Sequence, residues 1–185
     1  MVAYFQLQPA EADLQHLAEQ YWKEAGKREH DLETAAYEAG EAIRKGEFTL
    51  ANIEAIVRWK SERVVHYLIA NSNESIKAAL AVVVAPETST ETAVKALIAL
   101  RGVDISIASA ILAAIFPERF AVLDYRALEA LGHARHDVGF YTEYNKFIQR
   151  LVDCGIVKPQ PELPGPTPLH ALERALWQWS RNHGE

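Results

Sequence analysis

Apolar residues recur along this chain at the 3.6-residue period of helices lying on a shared core, and strand-like alternation is nowhere sustained. Over 11–25, Leu14, Leu17, Ala18, Tyr21 and Trp22 share a face, and Gly26 offers a stop. Asp31 reads as the cap of a second helix running to Lys45. From 50 to 69, Ile53, Ile56, Val57, Val64, Tyr67 and Leu68 predict one long helix or two short ones. Residues 76–85 contain the best strand candidate, Val82 to Val84, but the alanine-rich run ending at Pro86 is read as helix.

Next comes a pair of short helices. Thr88 and Glu91 have capping-box spacing ahead of Val94, Leu97 and Ile98. The turn Arg101-Gly102-Val103-Asp104 leads into a second helix with Ile107, Ala108, Ile111, Leu112 and Ile115, stopped at Phe116-Pro117. Asp124 opens a helix that ends at Gly132, and Tyr141, Tyr144, Ile148, Leu151 and Val152 define another. Five prolines between 158 and 168 predict an extended linker. Thr167-Pro168 then starts a last helix, with Leu169, Leu172, Leu176 and Trp179 on the face that docks on the core. The chain divides accordingly into a helical domain over 1–157, with its helix-hairpin-helix at 91–115, and a linker with C-terminal helix over 158–185.

Composition narrows the chemistry. With 185 residues and one cysteine, Cys154, read as a buried small hydrophobe, the chain builds its core without disulfides, and a four-thiolate zinc site or cysteine-held cluster is excluded. The first residues lack a basic-then-apolar leader and no apolar run is long enough to span a membrane, so a cytoplasmic location and no membrane partner are expected. A net charge of -6 argues against nonspecific coating of nucleic acid while leaving room for a local basic patch. Arg44, Lys45, Arg58, Lys60 and Arg63 form such a stretch, either a solvated helix face or a phosphate-contacting strip containing Lys60 and Arg63.

The stretch 97–132 carries the functional signal. Leu100-Arg101-Gly102-Val103-Asp104, then Ala108-Ser109-Ala110-Ile111-Leu112, then Val122-Leu123-Asp124 resembles the helix-hairpin-helix DNA glycosylases, the superfamily of endonuclease-III-like and adenine-glycosylase-like repair enzymes. The resemblance implies an all-α fold, an orthogonal helical bundle holding a helix-hairpin-helix. Its partner would be duplex DNA, contacted through the backbone by Arg101, Gly102, Val103, Asp104 and Ser106; no protein partner is implied. A glycine between helices lets a phosphate approach, Val103 plugs the turn inward, and the following helix presents its N–H groups. Turn carbonyls of the family also coordinate a monovalent cation, the one cofactor the resemblance allows. Asp124, 22 residues after Gly102, matches the catalytic aspartate that stabilises the cationic sugar as the base departs. It is equally an ordinary helix N-cap.

The chain departs from the family pattern at two places. Asp104 stands where a second glycine is common; as an N-cap it competes with phosphate for the same amides. Ile105, Ser106 and Ile107 stand where bifunctional members carry a Schiff-base lysine, so lysine-dependent strand cleavage from that position is not expected. The reading is a monofunctional base-excision enzyme using Asp124, or alternatively an inactive DNA-binding or protein-interaction module of the same fold, or a helical scaffold with no nucleic-acid role. His133, His136 and Asp137 lack further ligands at motif spacing, and no metal is expected there. Trp179 and Trp177 read as packing, with base stacking as the alternative for Trp177.

Overall fold

The protein, seen in a computed structural model describing residues 5–133 and 137–184, is all-helical, with no strand among the described residues. Among the described residues ten α-helices follow one another: α1 (Leu14–Glu24), α2 (Lys27–Arg44), α3 (Leu50–Lys60), α4 (Val65–Leu68), α5 (Asn73–Val84), α6 (Thr90–Ile98), α7 (Ile105–Ile115), α8 (Tyr125–Glu129), α9 (Val138–Asp153) and α10 (Pro168–His183). None is long and apolar enough to cross a membrane.

The centre of the molecule is α7, buried continuously from Ile107 to Ile115. A helix apolar on every side can only lie inside a domain, and α2, α3 and α6 cover it. Small residues set how closely they approach. A Cβ added at Gly40 of α2 would stand 2.0 Å from the Ala114 carbonyl oxygen of α7, so only glycine permits that crossing. At the far end of the chain, α10 lies along α1 and also touches α8 and α9. Thr167 caps α10 by accepting from His170 N at 3.2 Å, with Pro168 in the first turn, as its sequence predicts.

Several local expectations shift. Helix α2 starts at Lys27, behind an extended Gly26, so Asp31 is not its cap; it sits one turn inside and pairs with Lys27 at 2.7 Å. The 50–69 segment breaks at Ser61, whose extended backbone ends α3 before a short 3-10 turn, Glu62–Val64, leads into α4. Ser89, not Thr88, caps α6, because the Thr88 hydroxyl donates instead to the Val82 carbonyl at the end of α5. Cys154 is exposed rather than buried, since it follows the last turn of α9 next to left-handed Gly155. Residues 82–84 are helical.

Candidate functional site

Asp124 caps α8, its Oδ1 accepting from Ala127 N at 2.9 Å. Its other oxygen, Oδ2, faces the ammonium of Lys60 at 3.2 Å, in a pair whose side chains are only 13 and 19% exposed. The pair lies on a cavity of about 280 Å³. Tyr21 of α1, Trp59 of α3 and Trp177 of α10 supply aromatic walls, while His170, Glu173 and Arg174 of α10 line it with charge. Positions 170, 173, 174 and 177 form one helical stripe.

The extended segment ahead of Asp124 is fixed by side chains at successive peptide groups. Ala121 N donates to Asn145 Oδ1 and Leu123 N to Ser109 Oγ, both at 2.8 Å, and Val122 N donates to the Glu173 carboxylate. On the acceptor side, Tyr141 donates to the Ala121 carbonyl at 3.0 Å, and Tyr144 and Ser106 to those of Val122 and Leu123 at 2.9 Å. A buried segment outside any helix must find partners for its backbone groups, which explains the polar Ser109, Tyr141 and Tyr144 in an apolar core. Burial drives the phenols of both tyrosines well above their ordinary pKa, with the Glu173 charge adding to it, so both remain hydrogen-bond donors.

Beside the cavity, a buried charge cluster ties α2 to α10. Glu33 accepts from His170 Nε2 at 2.7 Å and from Arg174, while His170 Nδ1 faces Glu173 at 2.6 Å. With a carboxylate at each nitrogen, both must donate, and His170 is an imidazolium. Burial and the Arg174 charge oppose that state; hydrogen bonds to Glu173 and Glu33 outweigh them and hold the His170 pKa above its ordinary value. Burial likewise works against the Glu33 carboxylate, yet His170 and Arg174 bring its pKa down to about 2. Two carboxylates against two cations leave the cluster electrically balanced.

The hairpin turn behaves as its residues predict. Gly102 has φ +82°, Val103 is buried, and Asp104 caps α7 by accepting from Ile107 N at 2.8 Å. Asn71 adds a grip absent from the motif: its Oδ1 accepts from Arg101 N at 2.9 Å, and its amide donates to the Arg101 and Leu68 carbonyls. Gly102 itself presses on α4, since a Cβ there would lie 2.9 Å from Tyr67 Cβ and 3.0 Å from the Val64 carbonyl oxygen.

The expected site residues therefore occupy two places. Lys60 points to Asp124, and Ser106 turns its hydroxyl to Leu123, next to it. Arg101 and Arg63 are exposed, Arg63 on the 3-10 turn after α3, and neither meets a carboxylate among the described residues. In the rest of the basic stretch, Arg44, Lys45 and Arg58 pair with Glu118, Glu41, and both Glu54 and Glu62. His136 lies outside the described residues; the His133 ring packs on Phe5 at 4.9 Å, and no group of three His, Cys, Asp or Glu side chains is placed to hold a metal ion among the described residues. Trp177 lines the cavity, edge-on to Tyr21 at 5.2 Å, whereas Trp179 packs against the core. Comparison with family models, curated proteins and solved structures returned no match.

Proposed function

We propose that this helical array is a divergent helix-hairpin-helix glycosylase fold and that it hydrolyses the N-glycosidic bond of a damaged or mismatched base in DNA, with Asp124 as its catalytic carboxylate. The observation that carries this reading is the position of Asp124: on an aromatic-walled cavity, held from behind by side-chain hydrogen bonds, with one oxygen facing an ammonium. A base turned out of the duplex would stack on Trp59, Tyr21 or Trp177, since every base offers a π-face. The carboxylate would then stabilise positive charge on the sugar and accept a proton from the attacking water. A fixed backbone keeps the charge in place without reorganisation as the bond breaks.

The hairpin is the weaker half. Asp104 occupies the Ile107 amide and Asn71 the Arg101 amide, leaving fewer donors for a DNA phosphate. The Arg101 carbonyl accepts from Asn71 and the Leu100 carbonyl from Val103 N, so the turn offers a monovalent cation few ligands, and no step here uses one. These captured groups weaken phosphate contact through the hairpin; of the second reading, an inactive DNA-binding or protein-interaction module, they favour the protein-interaction form.

Duplexes each carrying one damaged or mismatched base, treated with alkali after incubation to reveal abasic sites, separate the two. Base release lowered at least about 100-fold by Asp124→Asn is the result expected of the enzyme. Salt-dependent binding without release selects the module.

A further inference from the structure

Of the groups around the cavity, one holds a proton that no other contact has claimed. The imidazolium of His170 has committed both N–H groups to carboxylates, Arg174 cannot deprotonate, and Tyr21 is directed at Glu33 with its pKa raised by burial and by that carboxylate. Glu173 accepts from His170 and from Val122 N, and Glu29 stands exposed at the rim. Lys60 remains. Its ammonium has three donors and one hydrogen-bond partner among the described residues, Asp124 Oδ2.

We infer that Lys60 is the general acid of the reaction, protonating the departing base and being reloaded by Asp124. The inference rests on the glycosylase reading above. As the bond from C1′ to the base nitrogen breaks, its electron pair goes to the base, and Lys60 delivers a proton to that anion. Water adds to C1′ and its proton passes to the Asp124 carboxylate. The carboxylic acid then returns this proton to the neutral Lys60 amine across the 3.2 Å contact. One water is consumed, the base leaves neutral, and both side chains regain their charges. Lys60 comes from the last turn of α3, far in sequence from the hairpin, and it acts as an acid rather than as a nucleophile.

The test uses single-turnover base release measured from acid to alkaline pH on whichever duplex the wild type cleaves. Lys60→Met is expected to slow release about 100-fold or more and to abolish the alkaline fall in rate. A Lys60→Cys, Cys154→Ser double variant, aminoethylated at position 60 to rebuild a more acidic ammonium, is expected to recover rate with that fall displaced to lower pH. It also shows that the site still folds. An alkaline limb unchanged in Lys60→Met overturns the inference, as does a Lys60-dependent covalent adduct trapped by borohydride, which would make the amine a nucleophile. Either result leaves the glycosylase reading standing if release still depends on Asp124. Absence of release from the whole panel, or release indifferent to Asp124→Asn, overturns the reading and the inference together.

Discussion

Replacing Glu33 with glutamine isolates the buried charge cluster that joins α2 to α10. Glu33 is 2% exposed, and its pKa falls from 4.5 to about 2 on folding. At about 1.4 kcal/mol per unit, that difference corresponds to about 3 kcal/mol of stability at pH 7. Because the folded pKa is depressed, the contribution is complete above the unfolded value and declines as pH falls through 4.5 towards 2. Glutamine has the same shape and no charge, so it also leaves His170 and Arg174 facing a deficit of negative charge; breaking a buried pair costs about 3–5 kcal/mol. Urea unfolding of wild type and Glu33→Gln at several pH values measures the effect. Unfolding free energies separated by about 3 kcal/mol at pH 7 should converge to a gap of about 1 kcal/mol near pH 3. The raised pKa of His170 acts in the opposite sense: its stabilisation is complete below about 6.5 and fades as pH rises through the folded value. Wild-type stability should therefore be greatest between these two limits. A gap that does not change with pH, or one below about 1 kcal/mol at pH 7, would refute the assignment of this cluster as a balanced ionic junction.

Gly40→Ala sets a methyl 2.0 Å from the Ala114 carbonyl oxygen, a backbone atom inside the most buried helix, and should cost about 3 kcal/mol or more in thermal or urea unfolding. Little or no loss would mean that α2 and α7 do not cross so closely. Ser109→Ala removes the acceptor of Leu123 N in a fully buried position, and should cost about 1–3 kcal/mol, with faster hydrogen exchange at the Leu123 amide. Under the proposed glycosylase function, base release should fall as well, since Leu123 immediately precedes Asp124.

Features set by near neighbours were open to reading from the chain. The Gly102 turn, the caps at Asp104, Asp124 and Thr167, and the apolar α7 depend on residues within a turn or two, where backbone sterics and one hydrogen bond decide the outcome. The cap of α6 moved by one residue because Thr88 and Ser89 are chemically similar there, and a contact from α5 selects between them. The grip of Asn71 on Arg101 joins residues thirty apart, and nothing in a hairpin motif announces it.

The cavity was hidden for a related reason. Lys60 meets Asp124 across 64 residues and His170 meets Glu33 across 137, so each looks in sequence like an ordinary surface charge. Lys60 and Arg63 share a phosphate-contacting strip only by local charge; the extended Ser61 ends α3 between them, and Lys60 pairs with Asp124 while Arg63 sits on the following 3-10 turn. One signal did lie in the chain. His170, Glu173, Arg174 and Trp177 fall at helical spacing, yet α10 has apolar Leu169, Leu172 and Leu176 alongside them. A charged stripe ending in tryptophan, beside an apolar face on a helix with good caps, differs from a solvated face, because tryptophan gains little from exposure. The same test applies to α2, where Glu33 falls one turn before buried Ala36 and Tyr37. Such stripes identify which faces carry buried charge, and only the side-chain contacts from Glu33 of α2 to His170 and Arg174 of α10 show that these charges belong to one junction beside Asp124.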